Sequence, residues 1–186
     1  PLEPCIVVAG SPNVGKSALI SALSSGEPQV ASYPFTTKQL HLGHFTHRRR
    51  VYQMVDTPGL LDRPMLERNQ IEMQAIAALE HLGDVLLFLL DRTEESTTPL
   101  SEQERLLQEV RGLMSGRRVL VVGTKSDISS TESKDDDHTV SSHTGDGLDH
   151  LRSNLIEIIA ADEVQDPLSL PEHWPREDGE HGRTRL

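Results

Sequence analysis

The octapeptide GSPNVGKS at positions 10–17 limits most strongly what this chain can fold into. It fills every fixed position of the pattern GxxxxGK[ST], between an apolar, partly β-branched run (Cys5 to Ala9) and a segment of helical character (Ser17 to Ser24). In that context, successive backbone N–H groups form an anion-binding nest at the start of a helix. The alternative is a chance Gly-rich turn, and the filled positions and flanking elements argue against it. The sequence therefore predicts a phosphate-binding loop (P-loop).

The P-loop predicts specific contacts with a nucleotide. The Lys16 ammonium reaches the β- and γ-phosphates and serves catalysis, and the Ser17 hydroxyl binds Mg²⁺. The predicted nucleotide contacts of this loop are Ser11, Pro12, Asn13, Val14, Gly15, Lys16, Ser17 and Ala18.

Two further segments predict a site that responds to the γ-phosphate. The segment Asp56-Thr57-Pro58-Gly59 ends a predicted strand about forty residues after the P-loop. There the Asp56 carboxylate can hold Mg²⁺, usually through water, and the Gly59 N–H can approach the γ-phosphate because no side chain blocks it. In the loop from Tyr33 to Lys38, a Thr hydroxyl joins Mg²⁺ when the γ-phosphate is present. We favour Thr37 over Thr36 for this metal-binding and catalytic role.

Two later motifs predict that the base is guanine. Thr124-Lys125-Ser126-Asp127 follows a strand and resembles NKxD, with Thr124 in the place of Asn. A buried, acceptor-only carboxylate at Asp127 matches the paired N–H donors of guanine and rejects adenine. The second motif is weaker and is identified by its order in the chain, with the Ser142 N–H meeting the guanine oxygen. Its predicted nucleotide contacts are Ser141, Ser142 and His143.

The order of strands and helices predicts an α/β fold of the P-loop NTPase type. Apolar strand-sized runs alternate with segments of helical spacing, so three layers are expected: a mostly parallel six-stranded sheet with one antiparallel edge strand, and helices on both faces. Leu40 to Thr46 and Val51 to Val55 form the predicted hairpin, while Glu27 to Lys38 is predicted to be a loop. The final helix is predicted over Leu148 to Ala160. We expect a GTPase domain over 1–161 and an irregular tail over 162–186.

Composition excludes several classes of function. The chain of 186 residues suits one domain plus a tail. It lacks the run of about 20 apolar residues that a bilayer span needs, so no membrane partner is expected. The net charge of −11 argues against a broad DNA-binding face. The single Cys5 cannot form an internal disulfide, and a cytoplasmic location is expected.

Two stretches of sequence resemble the Nog family of Obg-related GTPases. They are YPFTTKQLHLGH (33–44) and VDTPGLLDRPMLERNQIEMQAIAAL (55–79), and the resemblance extends over roughly residues 5 to 160. The segment from Asp62 to Ile76 is its most specific part. The resemblance implies a GTPase that acts in maturation of the large ribosomal subunit, with the pre-ribosomal large subunit or rRNA as partner. It also implies a helical segment before the GTPase domain.

The residues around the phosphates leave the rate of hydrolysis open. Leu60 stands where Ras-like proteins have a water-orienting Gln, so slow intrinsic turnover is expected. Asn13 resembles the P-loop Asn that helps to hold a potassium ion in some relatives; a turn-forming Asn after Pro12 is the equal alternative. A GTP-binding module with negligible turnover, or another Obg-like translation-linked GTPase, also remains open.

Three sets of charged or histidine residues are expected to be structural or solvated. His41, His44 and His47 alternate faces on a strand and cannot converge on one metal. Arg48 to Arg50 forms a solvated turn or contacts RNA phosphates. The acidic run Asp135 to Asp137 is predicted to be solvated surface.

Overall fold

The computed structural model describes residues 3–32, 39–56, 58–129 and 135–165. These residues form one sheet with helices packed on it. The strands are β1 (Cys5–Ala9), β2 (Gln29–Ser32), β3 (Gln39–His47), β4 (Arg50–Asp56), β5 (Val85–Asp91), β6 (Arg118–Thr124) and β7 (His138–Thr139). The helices are α1 (Lys16–Leu23), α2 (Gln70–Leu82), α3 (Leu100–Leu113) and α4 (Leu148–Gln165), and a short 3₁₀ turn spans Met65–Glu67.

The sheet confirms the predicted α/β fold but has seven strands rather than six. Its order is β2-β3-β4-β1-β5-β6-β7. All neighbouring strands are parallel except β3, which is antiparallel to both β2 and β4 at one edge. The additional strand, β2, lies within the segment predicted as a loop. Its four residues, QVAS, contain too few apolar positions to give a period-2 signal, and pairing with β3 decides its conformation.

Alternation along the central strand β1 distributes its side chains to two cores. Ile6 and Val8 pack with helices α1 and α4 on one face, while Val7 and Ala9 pack with helices α2 and α3 on the other. All seven residues of β5 are buried, because this strand has neighbours on both sides and helices on both faces. This is the predicted arrangement of three layers.

The parallel strands bring the predicted motifs to one edge of the sheet. The carboxyl ends of β1, β4, β5 and β6 lie there together, and the last three of these strands end at Asp56, Asp91 and Thr124. Open parallel sheets bind their ligands at this edge. At the other end of the chain, α4 continues to Gln165, so it runs past the predicted domain boundary at residue 161. That boundary remains a prediction, because residues 166–186 lie outside the described part of the chain.

Candidate nucleotide-binding site

The P-loop backbone takes a path that requires glycine at two positions. Gly10 has φ +139°, and a Cβ there would lie 2.7 Å from the Leu89 carbonyl oxygen. Gly15 has φ +106° and caps the start of α1, where its carbonyl accepts from Leu19 N at 2.9 Å. The loop therefore turns sharply from β1 into α1, as the anion nest predicts.

The Lys16 side chain spans the P-loop. Its Nζ donates to the carbonyl oxygens of Gly10 at 2.8 Å and Ser11 at 3.0 Å. Burial lowers the pKa of Lys16, and the nearby carboxylates of Asp56 and Asp62 act in the opposite direction. The ammonium is thus placed at the phosphate end of the site, within the field of two carboxylates.

Ser17 and Asp56, the two predicted metal ligands that the structure describes, meet across the site. The Ser17 hydroxyl donates to Asp56 Oδ2 at 3.1 Å. Asp56 is almost fully buried, and its Oδ1 has no hydrogen-bond partner among the described residues. Burial raises the pKa of Asp56, against the opposing effects of Lys16, Ser17 and His41. A buried, unpartnered carboxylate oxygen beside a hydroxyl fits Mg²⁺, which prefers oxygen ligands.

His41 belongs to this cluster, which corrects the expectation that it is a solvated strand histidine. Its Nδ1 lies 3.5 Å from Ser17 Oγ and 3.6 Å from Asp56 Oδ2. The register of β3 and β4 places His41 directly opposite Asp56. The sequence contained that signal, because a two-residue turn at Arg48-Arg49 fixes the register of the whole hairpin. Among the described residues, no group of three or more His, Cys, Asp or Glu side chains could hold a metal ion.

The segment after Asp56 folds back against the P-loop and the core. Gly59 has φ +76°, and its N–H donates to Asp62 Oδ2 at 2.7 Å. The Leu60 side chain is buried in the core, so it does not orient water at the site. The carbonyl of Leu61 accepts from Gly10 N at 3.0 Å and joins this segment to the P-loop. Thr57, Thr36 and Thr37 lie outside the described residues.

Thr124 connects the second part of the site to the first. Its hydroxyl donates to the carbonyl oxygens of Val14 at 2.7 Å and Leu90 at 3.2 Å. Lys125, with φ +57°, places its Nζ 2.5 Å from Asp91 Oδ2. Burial would raise the pKa of Asp91, but hydrogen bonds from Lys125 and Thr93 lower it. A hydroxyl at position 124 therefore ties the P-loop to this motif without the amide of an Asn.

The carboxylate of Asp127 is exposed, which corrects the expectation that it is buried. It lies on the turn beyond the end of β6, outside the layers that the helices cover. Its Oδ1 accepts from the Ser141 hydroxyl at 2.6 Å, and this hydrogen bond lowers the pKa of Asp127. Ser126 N donates to the Val140 carbonyl at 3.1 Å, so the two base motifs are adjacent. Ser142 is half-buried and His143 is exposed beside them.

Asn13 adopts a left-handed conformation on the rim of the P-loop. Its φ is +63°, and its amide donates to Thr97 Oγ1 at 3.4 Å. Thr97 in turn donates to the Pro12 carbonyl at 3.4 Å. The left-handed conformation is typical of Asn in turns, so both interpretations of Asn13 stay open. No pattern in the sequence indicates Thr97, because it lies in a loop distant along the chain.

The acidic run 135–137, predicted to be solvated surface, is exposed at Asp135 and Asp137 but not at Asp136, whose side chain is 2% exposed. Asp136 accepts from Arg92 Nε at 3.1 Å and Nη2 at 2.7 Å, and Asp137 Oδ2 accepts from the Val121 N–H at 2.7 Å. Through these hydrogen bonds, the two carboxylates hold the connection between β6 and β7 against the sheet. Runs of like charge are usually solvated, and only the tertiary structure reveals their partners.

A buried amide supports the loop that follows β5. Gln103 accepts from the Asp91 N–H at 2.8 Å, and its Nε2 donates to the carbonyls of Asp91 at 2.9 Å and Thr98 at 2.8 Å. The same Nε2 lies 3.1 Å from Ser96 Oγ. A Gln on an amphipathic helix gives no sign of this role, so it was missed.

The P-loop, the buried Asp56 beside Ser17 and the TKSD turn, arranged at the carboxyl edge of a largely parallel sheet, define a P-loop GTPase. The family described as "50S ribosome-binding GTPase" matches residues 5–125. The chain belongs to this family and, within it, to the Nog group of GTPases.

Similar proteins support this membership. The solved structure of nucleolar GTP-binding protein 1 from Plasmodium falciparum has a TM-score of 0.79 and 30% identity, and the match covers 90% of this chain and 92% of that one. Nucleolar GTP-binding protein 1 of Kluyveromyces lactis is 31% identical over 88% of this chain. A protein of Methanocaldococcus jannaschii without an assigned function is 45% identical over 64% of this chain.

The chain corresponds to only part of its curated relatives. It covers 33% of the M. jannaschii protein and 28% of the K. lactis protein. The G domain of the FeoB iron transporter of T. maritima, with 23% identity and a TM-score of 0.68, shares the fold. Across the described ranges, no helix has both the length and the apolar character needed to cross a membrane.

Proposed function

We propose that this chain is a Mg²⁺-dependent molecular switch that binds and hydrolyses GTP. The contact between Ser17 and the buried Asp56, beside Lys16, is the observation that carries the proposal. These groups come from different elements and meet at the edge of the sheet where nucleotides bind. A hydroxyl, a carboxylate and an ammonium in this arrangement suit a metal-bound triphosphate.

The residues at the phosphate end of the site, around the P-loop and the end of β4, have separate roles. Lys16 pairs with the β- and γ-phosphates, and backbone N–H groups of the P-loop donate hydrogen bonds to the phosphate oxygens. Ser17 and Asp56 would hold Mg²⁺, and Thr37 is our proposed third ligand. When bound, Mg²⁺ neutralises charge that develops on the phosphate oxygens. The Gly59 N–H binds the γ-phosphate, so the segment that follows Gly59 responds to the presence of this phosphate.

The residues at the base end select guanine. The Asp127 carboxylate accepts the two N–H groups of the guanine edge, and its hydrogen bond from Ser141 fixes its orientation. The lowered pKa of Asp127 keeps it ionised, as an acceptor-only group must be. Ser142 offers its N–H to the guanine oxygen, and the remaining proposed contacts in this region are Thr124, Lys125 and His143.

A binding module with negligible turnover is the second candidate. The buried Leu60 favours it, because no water-orienting side chain follows Gly59. Hydrolysis of GTP then depends on a group other than the side chain that follows Gly59. A potassium ion held with the help of Asn13 is one source, since a cation there stabilises charge in the transition state. A macromolecular partner is the other.

For the biological role, we propose assembly of the large ribosomal subunit. The family description names 50S ribosome binding, and two of the similar proteins carry the name nucleolar GTP-binding protein. The exposed Arg48 and Arg49 at the β3–β4 turn offer charges for rRNA phosphates. We expect the chain to act in the cytoplasm. Co-sedimentation with ribosomal subunits separates this role from that of another Obg-like translation factor.

The test is nucleotide binding followed by hydrolysis. GDP and GTP affinities are measured with Mg²⁺ and then with EDTA, and ATP is the competitor. We expect binding of guanine nucleotides alone, strengthened by Mg²⁺ for GTP. Single-turnover hydrolysis in KCl and in NaCl at equal ionic strength then separates the candidates. Turnover in KCl alone supports Asn13 in a potassium site, and equal rates remove that idea. Tight binding without turnover in either salt supports the binding module, and no guanine-nucleotide binding contradicts both candidates.

A further inference from the structure

The Gly59 peptide is held from both sides by the segment that follows it. Its N–H donates to Asp62 Oδ2 at 2.7 Å, and its carbonyl accepts from Arg68 Nη1. The other arm of the same guanidinium, Nη2, donates to the Arg63 carbonyl at 2.8 Å. One carboxylate and one guanidinium therefore fix the orientation of this peptide.

Arg68 is the anchor of this arrangement. Its side chain has 0% exposure, and its Nη2 lies 3.5 Å from Asp62 Oδ1. A buried guanidinium is costly unless a carboxylate and hydrogen-bond acceptors accompany it. Here Asp62 supplies the carboxylate, while the carbonyls of Gly59 and Arg63 supply the acceptors. The position of Asp62 is thus set by a charge that cannot reach water.

The Asp62 carboxylate faces the phosphate end of the site. It is close enough to act on the pKa values of both Lys16 and Asp56, and it raises both. The preceding residue, Leu61, accepts from Gly10 N at 3.0 Å through its carbonyl, so Asp62 follows directly on a contact with the P-loop. In the proposed function, the terminal phosphate of the nucleotide approaches the same region.

We propose that Asp62 is a specificity-determining residue that competes with the γ-phosphate for the Gly59 N–H, and that Arg68 positions it. This inference rests on the proposed function. A single N–H cannot make a full hydrogen bond to two anions, and two anions at one donor repel each other. GDP lacks the γ-phosphate and leaves the bond between Asp62 and Gly59 intact. GTP must displace Asp62, so part of its binding energy is spent on releasing this segment.

The consequence is a bias toward GDP that is built into the chain. Displacing Asp62 frees the Gly59 N–H and removes the carboxylate from the buried Arg68, so the segment from Gly59 to Arg68 has two distinct arrangements. A ligand shifts such an equilibrium only by its differential affinity for the two states. The γ-phosphate supplies that difference here.

The test compares the affinities of GDP and a non-hydrolysable GTP analogue, both with Mg²⁺, using the whole chain. Asp62→Ala is expected to improve the affinity of the analogue relative to GDP about tenfold, the effect of one charge-assisted hydrogen bond. Asp62→Asn keeps the shape and loses the charge, so a smaller change in the same direction is expected. Glu67→Gln is the matched control, because it removes an exposed charge from the same segment and should leave the ratio unchanged.

Four outcomes decide the inference. An unchanged ratio in both Asp62 variants, with GDP binding intact, overturns it while the proposed function stands. An equal change in Glu67→Gln also overturns it, because general charge then explains the effect. Failure of the unaltered chain to bind GDP refutes the proposed function itself. If the variants do not fold, the NMR signal of the Asp62 side-chain carboxylate in the unaltered chain decides: a different signal in the GDP-bound and analogue-bound forms supports the competition, and the same signal in both forms contradicts it.

Discussion

The two ends of the candidate site are built differently. At the phosphate end, Lys16 and Asp56 are held in a partly or fully buried cluster by elements from distant parts of the chain. At the base end, Asp127 is exposed and has one described side-chain partner, Ser141. The phosphate end is therefore set by the fold, while the base end is set mainly by turns that follow β6 and β7. Thr124, which bonds to the Val14 carbonyl, links the two.

Because of this difference, we expect the phosphate end to affect the stability of the fold and the base end to affect the choice of nucleotide. Burying charge costs free energy, and protein partners or a ligand must offset that cost. Groups at the phosphate end should therefore influence the stability of the fold as well as binding. An exposed carboxylate at the base end carries little of that cost. Changes there should alter the choice of nucleotide and leave the fold intact.

The largest effect is expected from Asp127→Asn. Replacing the acceptor-only carboxylate by an amide puts a donor against the N–H groups of guanine, so GTP affinity should fall about a thousandfold. Xanthine presents an acceptor at that edge, and affinity for its nucleotide should rise. Competition binding with both nucleotides measures this, with the exposed Asp146→Asn as control. Loss of stability in Asp127→Asn would contradict the comparison.

Gln103→Leu should lower the free energy of unfolding by about 3 kcal/mol, because it leaves the buried N–H and C=O of Asp91 without their partner. Denaturant unfolding gives the value. Gln108→Leu on the exposed face of the same helix is the control and should change stability little. Equal losses in the two variants would show that the buried amide has no special role.

Thr124→Val tests the link between the ends. It keeps the volume and removes the hydroxyl that donates to the carbonyls of Val14 and Leu90, so a loss of about 1 kcal/mol of stability is expected. GTP affinity should fall as well, since the P-loop loses a fixed point. The exposed Thr46→Val serves as control. Weaker binding without any loss of stability would break the proposed link.

Asp56→Asn should stabilise the chain at neutral pH in the absence of Mg²⁺ and nucleotide. Burial raises the pKa of Asp56, so the ionised group opposes folding above that pKa. As the pH falls from the raised pKa to the ordinary pKa of an aspartate, the wild-type carboxyl gains its proton and the advantage of the variant disappears. Unfolding at a series of pH values tests the sign. A variant that is less stable at neutral pH would contradict it.

Sequence predicted the phosphate end better than the base end. The P-loop and the Asp56 motif depend on local patterns next to strong strands, and these patterns determine their geometry. The exposure of Asp127 depends on what covers a turn, which no local pattern records. Strand β2 was missed for a similar reason, because four residues gain their conformation from pairing with β3.

Residues that act through partners distant along the chain were the hardest to predict. The position of His41 could have been predicted from the sequence, because the hairpin turn fixes it opposite Asp56. Arg68 was not, since a charged residue before a helix gives no sign that it is fully buried. The predicted metal ligand Thr37 stays a prediction.

The most direct test of the account is single-turnover GTP hydrolysis by the whole chain with Mg²⁺ in KCl, with Lys16→Ala alongside. We propose that Lys16 pairs with the phosphates, so we expect slow phosphate release by the unaltered chain and none by the variant. Both proteins should show the same far-ultraviolet circular dichroism. Equal phosphate release by the two proteins would contradict the assignment of this site to GTP hydrolysis.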